Sequence, residues 1–134
     1  MPLNAALVGR VYPATDPYLV SREKIREFAR AIGDSGDPAC APPTFAVVVT
    51  MPAELRVVFD PEVGFDTTRL LHREQRFEHR RPIEPGDELT VTVTVAEAGH
   101  VGGTDVLTLS SVVRTTEDEL VCTGTSTLIA RSDG

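Results

Sequence analysis

The stretch Ala41-Pro-Pro-Thr-Phe-Ala-Val-Val-Val-Thr-Met-Pro-Ala-Glu-Leu-Arg-Val-Val-Phe59 decides the fold, because it is the most apolar run in the chain. Pro43 suits the first turn of a helix, where its fixed φ fits and its missing N–H has no intrahelical partner to lose. Phe45, Val48, Val49 and Leu55 then leave almost no polar stripe, and a helix apolar nearly all round is buried on most sides. Pro52 predicts a kink or an early stop in that helix. Val47 to Val49 would also suit a buried strand, so periodicity leaves that alternative open.

Strands follow it. Asp60 to Asp66 is a turn-rich link with Pro61 and Gly64. Leu70 to Arg81 reads as a long polar strand with Phe77 as its main anchor. Pro82-Ile-Glu-Pro-Gly-Asp87 is a turn, since proline sets φ and glycine accepts a positive φ. From Glu88 to Ala98 the residues Leu89, Val91, Val93 and Val95 alternate with Thr90, Thr92 and Thr94, which predicts a sheet with one buried face. Gly102-Gly103 and the acidic tip Thr116-Glu-Asp-Glu119 then turn the chain into strands over Asp105–Thr115 and Leu120–Arg131. Those last three strands should form an antiparallel meander.

Upstream, Asp34 to Cys40 is a loop. Before it, Ser21 caps a helix whose Ile25, Phe28, Ala29 and Ile32 fall at i, i+3, i+4 and i+7, and Gly33 ends it. Residues 7 to 20, with Gly9, Pro13 and Pro17, form a short extended lead-in. The chain is therefore expected to be a single α+β domain over residues 1–134, a long antiparallel sheet wrapped around one central buried helix. That is the hot-dog arrangement, which pattern alone does not separate from other one-helix rolls.

A length of 134 residues allows one hydrophobic core without disulfide staples. The formal net charge of −7 argues against a nucleic-acid or anionic-membrane partner, since no field of Lys and Arg is present to neutralise phosphates. The basic cluster Arg73, Arg76, Arg80 and Arg81 is interleaved with Glu74 and Glu78 and reads as a solvated strand face or a local anion contact. Cys40 and Cys122 are too few and too far apart for a zinc ligand set or a secreted disulfide scaffold. With no basic, apolar leader at Met1 and no run of transmembrane length, the expected location is the cytoplasm, with reduced thiols. No metal or cofactor is expected.

Four segments narrow the function: Arg22-Glu-Lys-Ile-Arg-Glu-Phe-Ala-Arg-Ala-Ile-Gly-Asp34, Ala41-Pro-Pro-Thr-Phe45, Leu71-His-Arg-Glu-Gln-Arg-Phe-Glu78 and Arg81-Pro-Ile-Glu-Pro-Gly-Asp87. In this order and spacing they resemble the MaoC-like dehydratases, and within them the actinobacterial HadA-type subunits. The resemblance covers nearly the whole chain. It implies a hot-dog fold, a double hot dog of two subunits, and reversible hydration of trans-2-enoyl thioesters to (R)-3-hydroxyacyl thioesters carried on acyl carrier protein or coenzyme A. It also implies a Gly-Asp-x-Asn-Pro-x-His loop before the central helix, whose Asp and His activate a water and shuttle the α-proton. The thioester carbonyl would point at backbone N–H groups at the start of that helix.

This chain departs from that pattern. Gly33-Asp34 supplies the glycine and aspartate, Asp37-Pro38 stands for Asn-Pro with one residue inserted, and Cys40 takes the histidine place. Starting from Gly36-Asp37 puts that place near Pro42. Neither alignment supplies a histidine, and a thiol with an ordinary pKa of about 8.5 replaces imidazole poorly. Only six residues separate Asp34 from Ala41, where the family carries a longer excursion.

Each candidate has a plain alternative. Asp34 is either the family's acid or a residue turning the chain past a helix end. Cys40 and Ala41 are candidate substrate-binding residues by the resemblance, and an inert loop thiol is the simpler reading of Cys40. Thr44 and Phe45 are core and capping residues or line the acyl channel. His72 and Gln75 are also candidate substrate-binding residues, but they lie in a motif that resembles the strand pairing across the subunit interface in two-domain relatives, so an interface role outweighs a catalytic one. His79 and His100 read as surface residues. Two functions remain. One is a non-catalytic, channel-forming subunit that pairs with a HadB-like chain carrying Asp and His. The other is a free-standing homodimer, either a hydratase using Asp34 or an acyl thioesterase. An acyl-thioester-binding protein without chemistry is a weaker third.

Overall fold

The computed structural model describes residues 3–33 and 40–131 of the chain. A two-residue strand β1 (Tyr18–Leu19) precedes helix α1 (Arg22–Ala31). A short 3₁₀ turn over Pro43–Ala46 then runs into helix α2 (Val47–Val58). Strands β2 (Leu70–His79), β3 (Glu88–Val101), β4 (Thr104–Thr115) and β5 (Leu120–Arg131) complete the chain. They form one antiparallel sheet in the order β1-β3-β4-β5-β2. The meander over β3, β4 and β5 is as the alternation predicts, and α2 packs on its concave side. This is the hot-dog arrangement.

Local chemistry accounts for the helices. Ser21 Oγ accepts the Lys24 N–H at 3.0 Å, and Gly33 turns the chain at φ +75° just past the end of α1. Ile25 and Ala29 are buried and Phe28 half-buried, but Ile32 is exposed because α1 ends at Ala31 and leaves it on the cap. Pro52 does not stop α2, which continues to Val58. Proline leaves one carbonyl of the preceding turn unbonded, and Pro52 lies on the exposed side, where water can serve that carbonyl.

The expectation that α2 is buried on most sides also needs correction. The helix lies with one face on the sheet, burying Val49, Thr50, Ala53, Glu54, Val57 and Val58, while Val48, Met51 and Leu55 are only half-buried. The buried stripe follows the i, i+4 spacing rather than hydropathy, so it takes in Thr50 and Glu54.

Leu89, Val91, Val93, Leu107, Leu109 and Val113 meet α2 and the Phe45 side chain in a single core. Arg81 is not part of a solvated face: its guanidinium makes two bonds to Asp87, at 2.9 and 3.1 Å, and reaches Glu119 at 3.0 Å. That clamp holds the turn before β3 and the tip before β5 together, and the two carboxylates raise the Arg81 pKa further above its ordinary value. No helix among the described residues is long and apolar enough to cross a membrane.

Candidate functional site

The start of the central helix is built by short-range bonds. The Ala41 N–H donates to the Ile83 carbonyl at 2.7 Å, and the Phe45 N–H to the Pro42 carbonyl at 2.9 Å. Phe45 is fully buried and meets the Phe28 ring edge to face, centroids 5.5 Å apart, which joins α1 to the helix start. Ala41 is buried beside it. Both are packing residues here.

Thr44 is exposed and makes no capping bond, contrary to the capping role expected of it. Since neither Pro42 nor Pro43 has an N–H, the first backbone donor of this helix is that of Thr44. Cys40 is exposed at the same end. The other thiol, Cys122, is buried in the core and its pKa is pushed up to about 11 by burial, so it is inert. Asp34, with Asp37 and Pro38 of the implied catalytic loop, lies outside the described residues.

His79 reaches this end of the helix from the sheet. As the last residue of β2, its Nε2 sits 2.8 Å from the Pro43 carbonyl oxygen. A carbonyl only accepts, so Nε2 carries a hydrogen there, and in the neutral ring Nδ1 is left as an acceptor. Although exposed, His79 is more than a surface residue.

The remaining candidates, His72 and Gln75, lie further along β2. A β-bulge between His72 and Glu74 leaves Arg73 as the extra residue. Leu70, His72, Gln75, Phe77 and His79 consequently share the concave side, opposite Ala130, Leu128, Ser126, Gly124 and Cys122 of β5. Glu74, Arg76 and Glu78 line a polar groove on the convex side with Thr123, Thr125 and Thr127. His72 Nε2 lies 3.1 Å from the Glu74 carbonyl.

Gln75 belongs to a buried chain of polar groups. Ser126 Oγ lies 2.6 Å from Gln75 Oε1 and is also hydrogen-bonded to Glu54 Oε1 on α2. Glu54 is 2% exposed. Burial pushes its carboxyl above the ordinary range, while the Ser126 bond, the His72 charge and the Ser111 hydroxyl pull it back. The Ser111 hydroxyl lies beside the carboxyl without completing a hydrogen bond, and the Thr50 hydroxyl is likewise unpartnered.

The seven candidates thus divide. Cys40, Ala41, Thr44 and Phe45 gather at the helix start, His72 and Gln75 lie along β2 toward Glu54, and Asp34 is not described. Sequence reasoning missed His79, Glu54 and Ser126. Two signals were available. The parity of β4 and β5 puts Ser111 and Ser126 on the apolar face, and Glu54 stands four residues after Thr50 on one helical stripe.

A curled antiparallel sheet on one helix, whose start is met by the end of an edge strand, is a hot-dog domain of MaoC-like dehydratase form. A family model described as FAS1-like, dehydratase domain region, matches residues 6–124, and the chain belongs to that family. A UPF0336 protein of Saccharopolyspora erythraea is 45% identical, the match covering 98% of this chain and 93% of that one. It runs over 145 positions against a chain of 134 residues, so that relative carries internal residues this chain lacks.

Among solved structures, a MaoC-like dehydratase superposes with a TM-score of 0.84 at 34% identity. The match covers 96% of this chain but 43% of that one, so this chain spans less than half of it. The HadBC (3R-hydroxyacyl-ACP dehydratase) complex of Mycobacterium tuberculosis superposes with a TM-score of 0.77 at 25% identity, over 92% of this chain and 97% of the other.

Proposed function

We propose that this chain, a single domain working in the cytoplasm, is the non-catalytic subunit of an (R)-3-hydroxyacyl-thioester dehydratase. Its substrate is carried on acyl carrier protein or coenzyme A. The observation that carries the reading is the helix start, where the Cys40 thiol is exposed and the His79 Nε2 hydrogen is committed to the Pro43 carbonyl. Either alignment of the family's loop, ending at Cys40 or near Pro42, leaves its histidine place without an imidazole. The partner, a hot-dog chain with an intact Asp–His pair, supplies acid and base for removal of the α-proton and loss of the 3-hydroxyl as water. It docks on β2, which among the described residues is paired on one side only. The likeness to a two-chain dehydratase complex supports this assembly. A cleft of about 380 Å³ beside α2, lined by the apolar Val48, Pro52, Ala53 and Leu89 and by the charged Asp16 and Arg56, supports a role in binding an acyl group.

One observation favours a second reading, a homodimeric hydratase or thioesterase using Asp34. His79 puts an imidazole with a free Nδ1 at the helix start. Hydration of crotonyl-coenzyme A and of a longer enoyl thioester, followed by enone absorbance, separates the two. Turnover only with a co-expressed Asp–His partner, unaffected by Asp34→Asn, is the expected result. Turnover by the chain alone that falls in Asp34→Asn or His79→Ala would replace it with the homodimer.

A further inference from the structure

The hydrogens along Glu54, Ser126 and Gln75 can be counted. Ser126 Oγ has one hydrogen and two oxygen neighbours, Glu54 Oε1 and Gln75 Oε1. The Gln75 amide is held in one orientation. Its Nε2 donates to the Thr125 carbonyl at 3.3 Å and lies 3.5 Å from that of Arg76, so a rotated amide would set its oxygen against two carbonyl oxygens. With the amide oxygen facing Ser126, the serine hydrogen goes to Gln75. The contact between Ser126 and Glu54 is then left with a serine lone pair on one side. A carboxylate has no hydrogen to offer that lone pair, and a carboxylic acid does.

We infer that Glu54 is a neutral carboxylic acid that donates to Ser126 and, through Ser126 and Gln75, positions β2, the strand offered to the partner chain. The mention of a partner rests on the function proposed above, and the proton count does not. The surroundings agree, His72 apart. On α2, Arg56 turns away to the Pro13 carbonyl at 3.0 Å, and β4 presents Ser111. β3 turns Leu89, Val91, Val93 and Val95 toward the core. β5 presents Ser126 and, further along, the neutral Cys122 thiol. β2 presents His72, an imidazole that opposes the acid form only when it carries a proton. Among the described residues, no lysine or arginine acts on the carboxyl to hold it ionised.

In the acid form, three bonds in one direction tie the helix to the edge strand: Glu54 O–H to Ser126 Oγ, Ser126 O–H to Gln75 Oε1, and Gln75 Nε2–H to the Thr125 carbonyl. Ionisation reverses the first. The carboxylate then takes the serine hydrogen, Gln75 Oε1 loses its donor, and the concave side of β2 that carries His72 and Gln75 is released from α2.

Infrared spectra at neutral pH, combined with hydrogen exchange of the β2 amides bonded to β5, test this on the full chain. The wild type should show the carbonyl stretch of a protonated carboxylic acid, and Glu54→Gln should lack it. The amide that this variant introduces has an N–H able to donate the same bond. Glu54→Gln should therefore keep wild-type protection of β2, while Ser126→Ala lowers it about tenfold. As pH rises and the band titrates, the wild type should lose that protection and Glu54→Gln should keep it. Absence of the band, or loss of protection in Glu54→Gln equal to that of Ser126→Ala, overturns the inference. Failure to find turnover with any partner would sink the dehydratase reading and leave this result standing.

Discussion

Strands β3 and β2 lie in one sheet and are held in opposite ways. β3 has neighbours on both sides, and its Leu89, Val91, Val93 and Val95 are 1% exposed or less. Among the described residues β2 has β5 on one side only, and its concave set of Leu70, His72, Gln75, Phe77 and His79 contains no fully buried side chain. The first strand is held by area removed from water, spread over closely packed side chains. The second is held, beside its ladder with β5, by individual polar bonds: Gln75 to Ser126, which in turn meets Glu54, and His79 to the Pro43 carbonyl. An edge strand that faces its own core with amide and imidazole groups is adapted to positioning, and the core strands beside it supply the stability it lacks.

Substitutions can break that contrast in order of size. Leu109→Ala, in the middle of β4 at 0% exposure, should cost about 2–5 kcal/mol in urea unfolding, because its neighbours on both sides cannot close the cavity. A cost below about 1 kcal/mol would mean the core is looser than described. Ser126→Ala should cost about 1–3 kcal/mol, since it strands a buried carboxyl and an amide oxygen at once.

The same buried carboxyl gives stability a slope in pH. Its folded-state pKa lies above the ordinary 4.5, so the folded chain keeps a proton that the unfolded chain has released. The associated stability is complete below that ordinary value and is lost as pH rises through the folded-state pKa. Glu54→Gln should remove this slope, and a slope unchanged in the variant would assign it to another group.

Gly124→Ala should cost about 1 kcal/mol. An added Cβ would lie 3.0 Å from Phe77 Cε1, so the ring that anchors β2 must shift. An unfolding midpoint equal to wild type would show that Phe77 moves freely. Leu71→Lys, on the convex side at 65% exposure, should stay within about 0.5 kcal/mol of wild type in the isolated chain. Its effect should appear only in the yield of complex with a partner chain.

Legibility in the sequence follows the same divide. The helix cap at Ser21, the meander and its turns were readable because each depends on local chemistry or on strict alternation. The central helix was readable as an element but not in its orientation. Hydropathy pointed to Val48 and Leu55 as buried, whereas contact with a curved sheet selected Thr50 and Glu54. At the site, the sequence shows that no histidine lies between Asp34 and Phe45, but it does not show the approach of His79 to the helix start. His79 stands far from the helix start in sequence, and only the antiparallel return of β2 brings it to Pro43. The Glu54–Ser126–Gln75 chain joins three elements, and no pairwise pattern along one of them predicts it.

The bulge at Arg73 has one more consequence. Counted by twos from Glu74, the even-numbered residues His72, Arg76 and Glu78 look like one charged face, yet the extra residue shifts the phase and sends His72 to the opposite side. Deleting Arg73 would restore a uniform count and leave the faces as they are, because Leu70, His72, Gln75 and Phe77 then alternate with Leu71, Glu74 and Arg76 without a break. A graft of β2 into another sheet can therefore lose the surplus arginine and keep imidazole and amide on the same side. Removing Glu74 instead, with Arg73 forced into the regular pairing, gives the same alternation, whereas losing both residues would set His72 and Gln75 on opposite sides.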